Sequence, residues 1–290
     1  MRTPALVSVV IPAYNAAAYL GAQLDALAGQ TYRGAWEVVV ADNGSTDGTA
    51  ALAVEARGAL DVRVADASAR RGANAARNAG ARAARGDLLV FCDGDDIVEP
   101  EWLVALVEAA AGADGVGGRL DDVTLNPPVV REWRESLQSD QLPTSWDFLP
   151  YAMAANCAVW REPFERLGGF DEAFRYGSDD VDFFWRLQLA GFRLGFAAAA
   201  VVQYRYRGSL RDLARQHYAY GKSEPQRYRK FRSEGAAARP VATVARELAH
   251  LLALAPKMLR SPRERGAWVR MAALRAGRVV GSVRWRAVYL

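Results

Sequence analysis

The sequence predicts an α/β protein, with a mostly parallel sheet covered by helices on both faces and a helical C-terminal extension. Three observations predict this fold. Short apolar runs typical of buried strands alternate with segments of helical spacing through residue 92. Each run ends in polar residues, where a parallel sheet gathers its ligand site. After residue 206 the pattern is helical only.

The first strand is predicted over residues 6 to 11, and Asn15 is expected to cap the helix that follows and ends at Gly29. The next strands are predicted over residues 36–41, 62–65 and 88–92, and the helices between them over 46–57 and 74–84. A helix opened by Pro100 comes next. Beyond it, regular patterns return at residues 156–160, at 168–171 and in a helix over 180–190, which a strand at 201–205 follows.

Composition and charge limit the function classes. The chain is 51% hydrophobic and 24% charged, a balance that excludes wholesale disorder. Residues 1–200 hold 17 basic and 28 acidic side chains, whereas residues 201–290 hold 20 and 5. An acidic body argues against a nucleic-acid partner, and a basic tail suggests an anionic one such as a membrane surface.

The two cysteines, Cys92 and Cys157, cannot form a disulfide framework, and reduced thiols favour the cytoplasm. The chain opens without a recognisable export signal and has no run of about 18 apolar residues, so we expect a cytoplasmic protein without a spanning helix.

The sharpest chemical signal is the run Asp93, Gly94, Asp95 and Asp96 directly after the apolar strand at 88–92. Gathered carboxylates repel one another, so such a site normally holds a cation, and hard oxygen ligands select Mg²⁺ or Mn²⁺. The alternative is a solvated acidic turn.

Three earlier strand-to-helix junctions accompany this run, and their residues are Pro12, Ala13, Tyr14, Asn15, Asp42, Asn43, Gly72, Asn74 and Arg77. Together the four motifs resemble the nucleotide-sugar-binding half of family 2 glycosyltransferases, which have the GT-A fold. The resemblance covers residues 6–207. It implies a catalytic domain over 1–207, with a donor half at 1–118 and an acceptor half at 119–207, followed by a basic helical region over 208–290.

The resemblance also implies individual roles. Pro12, Ala13 and Tyr14 would line the nucleotide pocket, and Asp42 would hydrogen-bond the base. Asp93 would contact the ribose, and Asp95 would bind Mn²⁺ or Mg²⁺ on the diphosphate. The remaining residues expected around the donor are Asn15, Asn43, Arg71, Gly72, Asn74, Arg77 and Gly94. For Arg77 a solvated helix face is an equal alternative.

A second acidic cluster spans residues 176–182 and contains Asp179, Asp180 and Asp182. It resembles the family's Glu-Asp motif, with Asp179 in the Glu position. An inverting transfer needs a carboxylate that takes the proton of the attacking hydroxyl, and Asp180 is the predicted base. Asp179 would orient acceptor hydroxyls. The alternative is that these carboxylates cap a helix.

The sequence departs from the family at a metal ligand. Members often carry a histidine on the strand after this helix, where this chain offers Gln203 or Tyr204. Gln203 is therefore the predicted additional metal ligand, beside Asp95 and Asp93. His217 is predicted to lie on a helix surface.

The tail contains a basic amphipathic pattern. Its apolar arc comprises Val269, Ala272, Ala273, Ala276, Val280 and Val283, and Arg270, Arg275 and Arg278 lie outside that arc. Such a helix suits peripheral contact with the inner face of a cell membrane, where lipid-linked acceptors reside. The alternative is packing of the arc on the catalytic body or on the second subunit of a homodimer.

The sequence thus predicts a metal-dependent inverting glycosyltransferase that uses a nucleotide diphosphate sugar. Its acceptor would be a saccharide, a lipid-linked sugar or a small molecule, in the synthesis of cell-surface polysaccharide, glycolipid or glycoconjugate. The alternatives are a sugar-1-phosphate nucleotidyltransferase and a non-catalytic nucleotide-sugar or carbohydrate-binding scaffold.

Overall fold

A computed structural model describes residues 2–58, 60–175 and 177–290. The strands are β1 Val7–Ala13, β2 Trp36–Asp42, β3 Val62–Asp66, β4 Leu88–Cys92, β5 Ile97–Val98, β6 Gly115–Asp121, β7 Thr144–Ser145, β8 Leu149–Pro150, β9 Asn156–Trp160 and β10 Leu194–Gln203. The helices are α1 Ala17–Ala28, α2 Thr49–Glu55, α3 Ala73–Ala83, α4 Trp102–Ala110, α5 Pro128–Arg131, α6 Arg161–Arg166, α7 Asp179–Leu189, α8 Leu210–Phe231, α9 Val241–Leu254 and α10 Pro262–Trp285. Tyr176, part of the predicted second cluster, lies outside the described residues.

Eight strands form one sheet in the order β3-β2-β1-β4-β9-β6-β10-β5, and β7 pairs with β8 separately. Strands β1 to β4 pair with one another in parallel, while β9 runs antiparallel to both of its neighbours, β4 and β6. Both faces of the central strands are buried, as their continuous apolar runs require. This confirms the predicted α/β sheet. The carboxyl ends of β1, β2 and β4 therefore meet at one edge.

The start of α1 differs from the prediction. Asn15 does not cap the helix: it has a positive φ of 48°, and its side-chain oxygen accepts from the Thr46 amide at 2.9 Å. Residues that follow β2 accept from the amides at the start of α1 instead. Asp47 accepts from the Ala17 amide, and the Thr49 hydroxyl accepts from the Ala16 amide. The first two loops of the sheet edge are thus fastened to each other.

Buried amide side chains hold the second half of the sheet in place. Asn156, fully buried at the start of β9, donates to the Arg119 and Ala200 carbonyls at 2.8 Å each and accepts from the Trp102 indole at 2.9 Å. Its single side chain therefore joins β9, β6, β10 and α4. Because the partners come from four elements, its position depends on the complete fold.

The C-terminal helices pack on the body and on each other. α8 and α10 approach closely through Gly221, Gly277 and Gly281, where no side chain separates the backbones. The ring of Tyr289 is buried against Trp146 at 4.6 Å between centroids. Among the described residues, no helix is both long and apolar enough to cross a membrane.

The predicted amphipathic pattern of α10 is only partly correct. Val280 and Val283 are exposed, whereas the face toward α8 is made by glycines. Arg278, expected outside the apolar arc, is buried and pairs with Glu224 at 2.5 Å. Arg275 and Arg270 approach acidic side chains as well, Glu247 at 3.1 Å and Glu135 at 3.9 Å. These three arginines therefore do not form a free basic face.

We expect Gly277→Ala to lower the free energy of unfolding by about 1–3 kcal/mol, as overpacking does. A Cβ at this position would lie 2.2 Å from the Tyr218 carbonyl oxygen, so α8 and α10 would have to separate. Gly208→Ala is the matched control, because a Cβ there has no heavy atom within 4 Å. Urea unfolding of both variants measures the difference, and equal stabilities would contradict the glycine contact.

Candidate functional site

A cleft of about 750 Å³ opens at the carboxyl ends of β1, β2 and β4, and we call it the first cleft. Eleven of the predicted donor residues line it, namely Pro12, Ala13, Tyr14, Asn15, Asn43, Arg71, Gly72, Arg77, Asp93, Gly94 and Asp95. Asp42 and Asn74 do not line it. Ligand sites of such sheets lie at the carboxyl ends of the strands, and we call this the strand-end rule. It correctly brings most of the predicted residues together, although they are up to 83 positions apart in the sequence.

One wall of the first cleft is made by loops that Asn43 joins. Its amide nitrogen donates to the carbonyl of Arg70 at 2.8 Å, and its oxygen accepts from the Gly72 amide at 2.9 Å. The Arg71 guanidinium donates to the Asn43 carbonyl at 2.8 Å and lies 4.7 Å from the exposed Tyr14 ring. The result is an aromatic and cationic surface suited to a nucleotide.

The two predicted donor residues outside the lining support neighbouring loops. Asp42 ends β2, and its carboxylate accepts from the Ser45 amide at 3.2 Å. The buried amide of Asn74 donates to the carbonyls of Asp171 and Phe174, at 3.1 and 3.0 Å. Asn74 therefore holds the loop that leads toward α7.

Arg77 lines the first cleft but does not lie on a solvated helix face, because its side chain is only 7% exposed and bridges two carboxylates. Its guanidinium donates to Asp93 at 2.8 Å and to Asp179 at 3.0 Å. Although burial opposes its charge, these two carboxylates raise the pKa of Arg77 above its usual value. Arg77 thus connects the acidic run after β4 with the start of α7.

The acidic run has the composition of a divalent-cation site. Carboxylate oxygens of Asp93, Asp95 and Asp96 lie within 4.8 Å of one another. Burial and repulsion from Asp93 raise the pKa of both Asp95 and Asp96. One buried oxygen of Asp96 has no hydrogen-bond partner among the described residues. A bound dication would relieve this repulsion, so the residues fit Mn²⁺ or Mg²⁺.

Gln203, the predicted metal ligand, does not line the first cleft. It ends β10, and its amide nitrogen donates to Glu99 at 2.6 Å. Arg207, which the sequence analysis missed, instead reaches the acidic run and donates to Asp95 at 2.9 Å. The missed signal is the strand-end rule itself, because Arg207 follows the carboxyl end of β10. Its guanidinium partly neutralises the carboxylate beside which a cation would bind.

A second cleft of about 560 Å³ lies beside the first and shares Arg77 and Asp93 with it. We call it the second cleft. Asp179 and Asp180 line it, together with tyrosines and basic residues from α8, α10 and the loop after α5. Residues on both sides of the predicted boundary at 207 therefore build one cavity.

Asp180 has the properties of a proton acceptor. Burial, with the negative charge of Asp179, raises its pKa to about 7. Ser178 makes no side-chain capping bond, and Asp180 accepts from the adjacent Val181 amide at 2.8 Å. The third aspartate, Asp182, pairs with Arg186 at 2.8 Å and with Lys230 at 2.6 Å.

His217 also differs from its predicted place on the helix surface, since it is half-buried and lines the second cleft. Burial and the nearby cations Arg270 and Arg134 lower its pKa to about 3. Its imidazole is therefore neutral at physiological pH. Tyr220, which follows one turn later on α8, packs its ring 5.5 Å away.

A mostly parallel sheet with an acidic run at its edge, a cleft on each side of that run and a carboxylate of raised pKa defines the GT-A class of glycosyltransferases. The profile described as "Glycosyl transferase family 2" matches residues 8–168. The chain belongs to this family, which confirms the predicted resemblance and its GT-A fold.

Curated relatives are also glycosyltransferases or polysaccharide biosynthesis proteins. Glycosyltransferase AglE of Haloferax volcanii is 32% identical over 224 residues, which cover 76% of this chain and 73% of AglE. Succinoglycan biosynthesis protein ExoA of Rhizobium meliloti is 27% identical over 237 residues, which cover 78% of this chain and 71% of ExoA.

Solved structures share the fold. The mannosyltransferase PcManGT of Pyrobaculum calidifontis, in complex with GDP-Man and Mn²⁺, has a TM-score of 0.65 at 21% identity and covers 97% of this chain and 88% of its own. Residues 1–349 of S. aureus TarS, in complex with UDP-GlcNAc, have a TM-score of 0.55 at 16% identity and cover 98% and 93%.

Proposed function

We propose that this glycosyltransferase moves a sugar from a nucleotide diphosphate donor in the first cleft to an acceptor hydroxyl in the second cleft, with inversion at the anomeric carbon. The observation that carries the proposal is Asp180, a carboxylate whose pKa is raised to about 7 and which lines the cleft adjoining the nucleotide surface. The separate clefts support approach of the hydroxyl opposite the leaving diphosphate.

In the proposed reaction Asp180 accepts the proton of the acceptor hydroxyl. The bond between that oxygen and the anomeric carbon forms as the bond from this carbon to the phosphate oxygen breaks. The nucleoside diphosphate leaves with the electron pair. The negative charge of Asp179, which pairs with Arg77 at 3.0 Å, helps burial to raise the pKa of Asp180, so that Asp180 can accept a proton near neutral pH.

The first cleft would hold the donor by contacts that its residues are placed to make. Tyr14 and Arg71 would contact the base, Asp42 would support the loop at the base edge, and Asp93 would face the ribose. Asp95 and Asp93 would hold Mn²⁺ or Mg²⁺, which when bound offsets the negative charge that develops on the leaving diphosphate. PcManGT, with GDP-Man and Mn²⁺, supports this assignment by its fold.

The curated relatives support a role in polysaccharide or glycoconjugate synthesis. ExoA is described as a succinoglycan biosynthesis protein, and AglE as a glycosyltransferase. The family supports transfer over the nucleotidyltransferase that the sequence left open.

We also propose peripheral contact with an anionic membrane, through α9 rather than through α10 alone. Val241, Leu248 and Leu252 recur on α9 at intervals of one to two helical turns and are all exposed, Leu252 to 74%, and the exposed Leu259 follows in the short turn after the helix. Basic side chains lie near this stripe in the sequence, at Arg246, Lys257, Arg260 and Arg263. An apolar stripe flanked by cations is typical of helices that lie in the interface of anionic bilayers.

Asp95→Asn is expected to abolish the effect of Mn²⁺ on nucleotide binding, because the amide lacks the charge that holds a dication. Titration calorimetry with GDP and UDP, in Mn²⁺ and in EDTA, measures the effect. The exposed Asp25→Asn is the matched control and should behave like the parent. If Asp95→Asn keeps a parental response to Mn²⁺, the metal role of Asp95 is wrong.

Asp180→Asn is expected to keep donor affinity and lose roughly 100-fold or more in transfer rate, the usual size of a general-base contribution. In the parent, the rate should fall as the pH drops below about 7, because Asp180 becomes protonated. Asp179→Asn should move this limb to lower pH, since the neighbouring negative charge that raises the pKa is gone. Steady-state rates between pH 5 and 9 measure both effects.

The exposed Asp140→Asn serves as the control for the transfer assay and should follow the parental profile. Donor binding with full transfer in Asp180→Asn would assign proton removal to another group. If the parent binds the donor but neither transfers its sugar nor hydrolyses it, the non-catalytic scaffold is favoured.

Leu252→Glu is expected to weaken binding to phosphatidylglycerol-containing vesicles by about tenfold or more, the loss from one buried leucine side chain. Val54→Glu, at an exposed valine of α2, is the control and should bind like the parent. Vesicle co-sedimentation at low salt measures binding. If both variants bind equally, or if the parent is dimeric through α9 and ignores vesicles, the membrane assignment fails.

A further inference from the structure

Three arginines of the second cleft lack a close carboxylate. Arg134 has no carboxylate oxygen within 4.0 Å in the described chain, and donates only to the carbonyls of Val130 and Arg207, at 3.3 Å each. Arg270 has one such oxygen at 3.9 Å, from Glu135, whose side chain is 95% exposed. Arg227 donates to the Ser145 hydroxyl at 2.9 Å and stacks on Trp146.

Other arginines with little exposure are paired in this fold. Arg77, Arg186 and Arg278 each have a carboxylate oxygen at 3.0 Å or less. Removing a guanidinium from water without a counter-ion is costly, and burial lowers the pKa of both Arg134 and Arg227. In the described chain, Arg134, Arg227 and Arg270 therefore have no carboxylate oxygen closer than 3.9 Å, although Asp93, Glu135, Asp179, Asp180 and Glu224 also line this cleft.

The charges are distributed so that the cleft has two different ends. Arg134, Arg270 and His217 all line this cleft, and burial together with the positive charges of the two guanidinium groups lowers the pKa of His217. Asp180 instead interacts with Asp179, Arg77 and Arg227. The buried Nε of Arg270 has no hydrogen-bond partner among the described residues. One end can thus accept a proton, while the other offers unpaired donors to an anion.

We infer that Arg134, Arg270 and His217 bind a phosphate or diphosphate ester carried by the acceptor, whose hydroxyl lies toward Asp180. Guanidinium groups bind phosphate oxygens through paired N–H donors, and a neutral imidazole donates one further hydrogen bond. This inference rests on the proposed function. It names the acceptor class as phosphorylated rather than neutral.

A second groove indicates how a lipid-linked ester could reach this site. Arg270 and Glu135 line both the second cleft and a groove between α9 and α10 that continues past His250 and Leu254. The phosphate end of the second cleft is therefore open toward α9, whose apolar stripe is proposed to meet the membrane. A soluble sugar phosphate carries the same anionic group, so the test includes both sources.

The test uses the full chain saturated with Mn²⁺ and GDP or UDP, so that the first cleft is occupied. Geranyl diphosphate, glucose 1-phosphate and the neutral octyl glucoside are titrated by calorimetry. We expect at least one phosphate probe to bind, and Arg134→Gln and Arg270→Gln each to weaken it by about tenfold or more. Arg270→Lys keeps the charge and should remain within a few-fold of the parent.

Arg284→Gln is the matched control, because Arg284 is an exposed residue on the same helix and does not line the cleft. Melting temperatures show whether each variant is folded. Preference for geranyl diphosphate indicates a lipid-linked acceptor, and preference for glucose 1-phosphate a soluble one. Phosphate binding that is absent, or unchanged in both glutamine variants, overturns the inference.

The two proposals fail separately. If neither GDP nor UDP binds, the donor assignment is wrong. The affinities of the arginine variants for the phosphate probes then still test the acceptor site. If nucleotides bind and transfer proceeds equally well to neutral and phosphorylated acceptors, the proposed function stands and the phosphate site is wrong.

Discussion

The bridge from Asp93 through Arg77 to Asp179 is the interaction on which the arrangement of the site depends. It joins the end of β4 to the start of α7, elements that the chain separates by 86 positions, at distances of 2.8 and 3.0 Å. Without these carboxylates the Arg77 guanidinium, which is 7% exposed, would be a buried unpaired charge. The bridge therefore couples the position of the first cleft to that of the second, and it ends on Asp179, whose negative charge helps to raise the pKa of Asp180.

Neutral side chains position the acidic run in the same manner, by spanning elements. Gln23 on α1 is fully buried, donates to the Asp93 carbonyl at 3.2 Å and accepts from the Val98 amide at 3.0 Å. It thus holds both ends of the segment that contains Asp95. The guanidinium of Arg205, two residues after the end of β10, completes this support by donating to the Asp95 carbonyl at 2.8 Å. Carboxylates that repel one another stay together because their backbone is fixed from two sides.

The sequence predicts what depends on local pattern and misses what depends on distant partners. Strand β4 and helix α7 are found almost to the residue, since apolar runs and acidic first turns are local signals. Strand β6 escapes because it contains Gly115, Gly117 and Gly118, poor strand formers. At Gly118 a Cβ would meet Asn156 and the Ala200 carbonyl at 2.4 Å. The neighbouring strands, rather than local propensity, therefore select the glycines of β6. The roles of Asn15 and Gln203 are mispredicted for a similar reason, because their hydrogen-bond partners lie in other loops.

Residues 1–200 are acidic on balance and residues 201–290 are basic, and the ion pairs of the structure explain this difference. Basic residues of the C-terminal part neutralise acids of the body, as Arg207 does for Asp95 and Lys230 for Asp171. Others pair with the few acids of the tail itself, such as Arg278 with Glu224. Within the described chain, three arginines without a carboxylate oxygen closer than 3.9 Å, Arg134, Arg227 and Arg270, line the second cleft, and exposed cations occur near the apolar stripe of α9. Because a cation excluded from water requires a partner and an exposed one does not, the cleft arginines are the stronger indication of an anionic ligand.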